Sequence, residues 1–129
     1  MSDSFWRGVF LSAAIVNWIV GVSIAFDMSE AAAAMGLATL RYDAFYSPFA
    51  GMFIFLFGLL YFAVWRDLSN RAIVMVGTIG KLAAFVWVTT AAWRGLAPAA
   101  FGGLVFIDLI YALAFAAFLF SRQAAPARS

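Results

Sequence analysis

Cysteine and histidine are both absent from this chain of 129 residues. Their absence excludes thiol redox chemistry, thiolate or imidazole metal sites and histidine-ligated haem. It also excludes every nucleophile that depends on an imidazole base. We therefore predict no metal site and no cofactor.

Charge is also scarce, since charged residues make up 11% of the chain and the formal net charge is only +2. The arginines are scattered and form no basic run, so binding of nucleic acid has no support. What the chain has instead is apolar surface: 67% of its residues are hydrophobic and its mean hydropathy is +1.01. A soluble domain is nearer half apolar and a quarter charged. The composition therefore predicts a protein embedded in a lipid bilayer.

Four stretches have the roughly 20 mostly apolar residues that a membrane-spanning helix needs. They are Phe5 to Phe26, Phe45 to Trp65, Ala72 to Trp93 and Ala99 to Phe120. The predicted fold class is all-α, a four-transmembrane-helix bundle in which residues 1–129 form one integral membrane domain with a polar tail at 121–129. The first stretch is longer than a signal-peptide core, so we expect it to be a helix of the folded protein.

The links between these spans differ in length. Residues 66–71 and 94–98 are long enough only for turns, which predicts that the second, third and fourth spans are antiparallel neighbours. The longer link contains Asp27-Met28-Ser29-Glu30, a capping-box pattern, ahead of an alanine run that stops at Gly36. We predict a short extramembrane helix there, lying along the membrane surface.

Basic residues near the span ends predict the orientation of the chain. With a cytoplasmic N-terminus, the residues on the inside are Arg7, Arg66, Arg71, Arg122 and Arg128, while Arg41 and Arg94 lie outside. Both termini are therefore predicted to be cytoplasmic. Tryptophans at span ends favour the headgroup region, and they are Trp6, Trp65 and Trp93.

Three spans carry a strongly polar residue near mid-depth: Asn17, Lys81 and Asp108. At about 1.5 Å per residue, Asn17 and Asp108 lie roughly 18 Å from the cytoplasmic end and Lys81 about 14 Å. A lysine side chain spans the difference, so the three can meet. An unpaired charge at the bilayer centre costs about 2.5 to 3.5 kcal/mol on insertion scales. We therefore predict a Lys81–Asp108 pair with Asn17 bridging.

Small residues share the helix face of each polar side chain, which predicts that these faces pack against other helices. The small neighbours are Ala13 and Gly21 for Asn17, Gly77 and Ala84 for Lys81, and Ala112 and Ala116 for Asp108. Tyr111 and Thr78 lie within one turn of the pair and are predicted to add hydrogen bonds.

The cluster has two interpretations. Buried ion pairs can serve only to fix which helices are neighbours. Alternatively the cluster is a functional site that binds or moves a small ligand or a proton, as ionisable residues inside membranes commonly do. An aromatic pocket for a hydrophobic small molecule is a further hypothesis. The predicted ligand-binding residues are Asn17, Trp18, Lys81, Trp87, Asp108 and Tyr111.

Other functions stay open beside this one. The chain is alternatively a homo-oligomer or a non-catalytic accessory subunit of a larger membrane complex. A third hypothesis is an enzyme that modifies a lipid or isoprenoid, and the lack of an intramembrane carboxylate pair argues against it. A serine–lysine hydrolytic pair is also disfavoured, because we expect Ser12, Ser23 and Ser47 to bond to the backbone or to other helices.

Two motifs carry a resemblance to known proteins: Gly77-Thr78-Ile79-Gly80-Lys81 and Asp108-Leu109-Ile110. In these motifs the chain resembles a family of small, uncharacterised four-helix bacterial inner-membrane proteins. The resemblance extends to Met35-Gly36-Leu37, Gly51-Met52 and Asp67. It implies a location in the bacterial inner membrane, and it implies no activity.

Overall fold

The computed structural model describes residues 1–26, 45–97 and 99–122. Within them the chain forms α1 (Asp3–Ala25), α2 (Tyr46–Arg66), α3 (Arg71–Trp93) and α4 (Ala99–Ser121). All four helices are long and apolar enough to cross a membrane. The chain is accordingly a multi-pass integral membrane protein, and each helix begins and ends within two residues of the stretch predicted from the sequence. The short extramembrane helix predicted between the first two spans falls in residues 27–44, outside the described ranges.

Specific residues begin and end two of the helices. The side chain of Ser2 caps the start of α1 by accepting a hydrogen bond from the Phe5 N–H at 3.2 Å. At the end of α3, Gly95 adopts a positive φ of 71°. The N–H groups of Leu96 and Gly95 donate to the carbonyls of Ala91 and Ala92, a Schellman motif that turns the chain out of the helix.

The turn at residues 67–70 reverses the chain between α2 and α3. The Asp67 carboxylate accepts a hydrogen bond from the Ser69 N–H at 2.9 Å, and the Asn70 N–H donates to the Asp67 carbonyl at 3.3 Å. The bonds from the backbone and side chain of Ser69 hold the pKa of Asp67 below its usual value. Its ionised form therefore stabilises this turn.

The four helices pair into two hairpins. Hairpin one is α1 with α2, and hairpin two is α3 with α4; each has a much larger contact inside it than across to the other hairpin. The helices α2 and α3 do touch, as the short link between them predicts. Their contact is nevertheless minor, because each packs mainly against its own hairpin partner.

The backbones of α1 and α2 touch where Gly21 faces Gly51. A β-carbon at Gly21 would lie 2.7 Å from the Phe55 nitrogen and 2.8 Å from the Gly51 oxygen. A β-carbon at Gly51 would overlap the backbone of Ala25. Because the obstructing atoms are backbone atoms, they cannot rotate away as a side chain does. Glycine at both positions permits this close approach.

Four arginines lie at one end of the bundle, where α1 and α3 begin and α2 and α4 end; we call this the arginine end. The Arg7 guanidinium donates to the carbonyls of Trp65 and Arg66 at the end of α2, and Arg71 donates to the Leu119 carbonyl at 3.1 Å. These cations satisfy carbonyls that a helix C-terminus leaves free. They therefore hold each hairpin closed at this end.

The two hairpins also meet at the arginine end, where Arg122, directly after α4, forms an ion pair with Asp3 of α1. The opposite end of the bundle, where α1 and α3 end and α2 and α4 begin, is called the loop end. Among the described residues Arg94 is the charged residue there. Among the described residues, most of the charges therefore lie at the arginine end of the bundle.

Aromatic side chains fill the half of the bundle nearest the arginine end. Phe10 stacks on Phe115 with ring centroids 4.9 Å apart, and Trp6 meets Phe118 edge to face at 5.3 Å. Trp6 is only 2% exposed, so its indole ring packs within this core. Trp93, at the loop end, is 90% exposed as an interfacial tryptophan should be.

Candidate functional site

Lys81 lies at the centre of a polar cluster between the two hairpins. Its Nζ atom is 2.5 Å from Asp108 Oδ1 and donates to Asn17 Oδ1 at 3.2 Å. The Asn17 side-chain amide donates in turn to the Ile54 carbonyl of α2, at 3.2 Å. The three polar residues that the sequence singles out therefore meet. The lysine, rather than the predicted asparagine, makes the bridge.

Small residues let the helices approach at this cluster, as their spacing predicts. Ala13, Asn17 and Gly21 all lie on the buried face of α1. On α3, a β-carbon at Gly77 would lie 2.7 Å from the ring of Tyr61, so this glycine makes room for that ring. Ala112, one turn after Asp108, is fully buried.

Two tyrosine rings flank the lysine. The centroids of Tyr61 and Tyr111 each lie 5.4 Å from Lys81 Nζ, within the range of a cation–π interaction. The Tyr111 hydroxyl donates to Ser12 Oγ at 2.9 Å and so ties α4 to α1. The predicted role of Tyr111 as a hydrogen-bond partner of the ion pair is thus replaced by a ring contact.

Tyr61 is a member of the site that the sequence analysis did not select. It is 1% exposed and contributes the α2 wall beside the lysine. In the sequence it lies within a long phenylalanine- and leucine-rich run, and that run gives no sign of which side faces the bundle. The one feature of the sequence that indicates a special role is the hydroxyl group itself, because a polar group inside a span is costly unless it has a partner.

A cavity of about 320 Å³ opens above the cluster, towards the loop end. All four helices line it. Its walls are apolar, and its polar floor is the side chains of Asn17, Lys81 and Asp108. The lining residues nearest the loop end are Ile24, Phe53, Val88 and Phe101. The bundle is therefore filled below the cluster and hollow above it.

The structure does not bring the two predicted tryptophans into this cavity. Trp87 is 79% exposed on the outside of α3. Trp18 packs against Phe55 and Phe62 of α2, and its indole Nε1 is buried with no hydrogen-bond partner among the described residues. Neither residue lines the cavity. Their predicted role in ligand binding gains no contact to support it.

The hydroxyl groups on these helices are used locally. Thr78 donates to the Val74 carbonyl at 2.8 Å rather than to the ion pair. Ser12 and Ser23 donate to the carbonyls of Val9 and Ile19, as expected. The side chain of Ser47 is outside the described part of the chain.

The chemistry of the cluster follows from its charges and exposure. Lys81 and Asp108 compensate each other, and the lysine side chain is only 5% exposed while that of Asp108 is 32% exposed. Of the two charged groups, the carboxylate is therefore the more accessible. Across residues 1–26, 45–97 and 99–122 no three acidic side chains gather into a metal-binding group.

Comparisons with protein-family models, curated proteins and solved structures give no match to this chain. The resemblance carried by the motifs in α3 and α4 therefore stays a prediction. What the fold and the site define is a class: an integral membrane protein with four candidate spans, whose helices hold a part-buried ion pair beside a cavity.

Proposed function

We propose that this protein binds an amphiphilic small molecule from the surrounding bilayer, with the apolar part in the cavity and the head at the polar floor. The observation that carries the proposal is an apolar cavity of about 320 Å³ that ends on the Lys81–Asp108 ion pair. Sites for small molecules are typically apolar with a few convergent polar groups, and this volume is at the lower end of their range. In this proposal the cluster recognises the head of the ligand.

The filled half of the bundle supports binding over conduction. Below the cluster, Phe10, Tyr61 and Phe115 pack against one another with ring centroids about 5 Å apart where they meet. Moving a ligand or a proton through to the arginine end requires this packing to open. Binding in the cavity requires no such rearrangement, so we favour a binding function over transport.

The proposal includes a location. We infer a bacterial inner membrane with both termini in the cytoplasm. The supports are the resemblance of the α3 and α4 motifs and the distribution of basic residues, with Arg7, Arg66, Arg71 and Arg122 together at the arginine end. Cytoplasmic ends of spans are enriched in arginine and lysine.

Photolabelling of the purified protein in lipid nanodiscs tests ligand binding. The probe is decanol with a diazirine on its alkyl chain, since a cavity of about 320 Å³ holds roughly ten groups of about 30 Å³. We expect the label on cavity residues such as Val20 and Val105, of which Val105 is only 5% exposed. Labelling confined to lipid-facing residues such as Ile19 and Val86 overturns the proposal.

A matched pair of variants sharpens this experiment. Ala84 lines the cavity, whereas its neighbour Ala83 is exposed on the outside of α3. Ala84→Phe fills the cavity and should lower cavity labelling at least about tenfold, equivalent to about 1.4 kcal/mol. Ala83→Phe should leave it unchanged. Equal labelling of the two variants contradicts binding in this cavity.

Movement of a molecule across the membrane needs a separate measurement. In liposomes, Lys81→Met should change proton or probe flux if the cluster takes part in transport. Unchanged flux eliminates transport through the cluster and leaves binding as proposed.

A further inference from the structure

The three polar groups of the floor all line the cavity, and they differ in exposure. The side chain of Lys81 is 5% exposed, whereas that of Asp108 is 32% exposed. Asn17 as a whole residue is 7% exposed. The Asp108 carboxylate is therefore the most accessible polar group of the floor.

Three of the five N–H donors that Lys81 and Asn17 carry are used within the protein, and both residues are nearly buried. Lys81 donates to Asp108 and to Asn17, and the rings of Tyr61 and Tyr111 flank its remaining surface. The Asn17 amide group donates to the Ile54 carbonyl. A carboxylate has about four acceptor positions, and the bond from Lys81 uses one of them. The floor thus offers acceptors to the cavity.

Charge balance restricts the ligand further. The ammonium of Lys81 and the carboxylate of Asp108 cancel, so the site is neutral before a ligand enters. A ligand that brings a net charge into an apolar cavity at membrane depth introduces an uncompensated charge, which is costly there. An anionic head additionally faces the exposed carboxylate. A neutral head that donates a hydrogen bond meets neither penalty.

We infer, on the basis of the proposed function, that the cavity selects an uncharged lipid alcohol whose hydroxyl donates to Asp108. Ketones, esters and ethers of the same chain length lack this donor and bind more weakly. Fatty acids and long-chain amines bind more weakly because of their charge. Specificity therefore comes from one hydrogen bond at the floor, while the walls supply apolar contact.

Competition against the photolabelling probe tests this selectivity on the wild-type protein. The competitors are decanol, its methyl ether, decanoate and decylammonium, compared at equal mole fraction in the nanodisc lipid. Because a hydrogen bond to a charged group is involved, decanol should compete about ten- to a hundredfold better than the ether. Decanoate and decylammonium should also compete with the probe more weakly than decanol does.

The outcomes separate this inference from the proposed function. If decanol and the ether compete equally while Ala84→Phe still abolishes labelling, the cavity binds but selection of an alcohol is wrong. A charged competitor that exceeds decanol also overturns the selection. If no competitor reduces labelling, ligand binding itself fails, and the inference fails with it.

A double variant locates the selectivity at the floor. Lys81→Met combined with Asp108→Leu removes both charges together and leaves neither one unpaired. We expect it to bind decanol and the ether alike. A preserved preference for the alcohol contradicts the role of Asp108, and the wild-type competition series decides the selection itself if this variant does not fold.

Discussion

Lys81 and Asp108 join the two helices of hairpin two through a contact of 2.5 Å between Nζ and Oδ1. Removing Lys81 leaves the part-buried Asp108 carboxylate at mid-span without compensation. Lys81→Met should therefore lower the free energy of unfolding by about 2–3 kcal/mol. Adding Asp108→Leu should restore most of this loss, because the unpaired carboxylate is gone. Unfolding in mixed micelles by titration with sodium dodecyl sulfate measures both variants.

The exposed ion pair between Asp3 and Arg122 is the control for this comparison. Its side chains are 67% and 37% exposed. Asp3→Asn should cost less than about 1 kcal/mol, because surface pairs contribute little. A single variant at Lys81 that is no more harmful than Asp3→Asn contradicts the assignment of a buried, coupled pair.

The contact between Gly21 and Gly51 predicts an unusual penalty for adding one methyl group. Gly21→Ala places a β-carbon against backbone atoms of α2, so the helices must separate, at a cost of about 1–3 kcal/mol. Gly8, on the same helix, has open space around it, and Gly8→Ala should be neutral or stabilising by about 0.5–1 kcal/mol. The same micellar unfolding titration compares them. Equal effects at the two glycines contradict the close approach.

The orientation of the chain in the membrane can be measured by labelling single introduced cysteines, because the natural sequence contains none. Single cysteines at Ser69 and Leu96 mark the two ends, since Ser69 is exposed in the turn at the arginine end and Leu96 is 77% exposed at the loop end. In bacterial spheroplasts an impermeant maleimide should label Leu96→Cys and spare Ser69→Cys. Inverted vesicles should give the opposite pattern. Reversed labelling would place both termini outside.

The turn at residues 67–70 predicts a dependence of stability on pH. The bonds from Ser69 lower the pKa of Asp67 below 3.8, so the ionised carboxylate is favoured in the folded state. Its contribution is present above that pH and is lost as the pH falls through the lowered value. Asp67→Asn should therefore be less stable than wild type at about pH 7, and the difference should vanish in stronger acid. A difference that is constant with pH contradicts this role.

The polar floor could be predicted from the sequence because charged residues are rare inside membrane spans. A lysine or an aspartate inside a span is costly, so Lys81 and Asp108 stand out among apolar neighbours and need each other. The small residues one turn from each then indicate which face packs. These signals located three groups that meet in space although 64 positions separate Asn17 from Lys81 along the chain.

The apolar environment of the spans also explains why the remaining site residues could not be predicted from the sequence. In lipid, both the packed face and the lipid-facing face of a helix are apolar, so a run of apolar residues does not reveal its orientation. Tyr61 faces the cluster and Trp87 faces outwards, and nothing in their sequence surroundings separates the two. Trp6 lies at the end of a span, and that position does not reveal that its ring packs against Phe118.

The division into two hairpins has a consequence for how the chain enters a membrane during synthesis. Asn17 is satisfied by Ile54 within hairpin one, and Lys81 is neutralised by Asp108 within hairpin two. Each hairpin can thus leave the insertion machinery with its most polar groups already partnered, and the bond from Lys81 to Asn17 forms when the two halves meet in lipid. Neither hairpin therefore carries an unpaired intramembrane charge that depends on synthesis of the other hairpin.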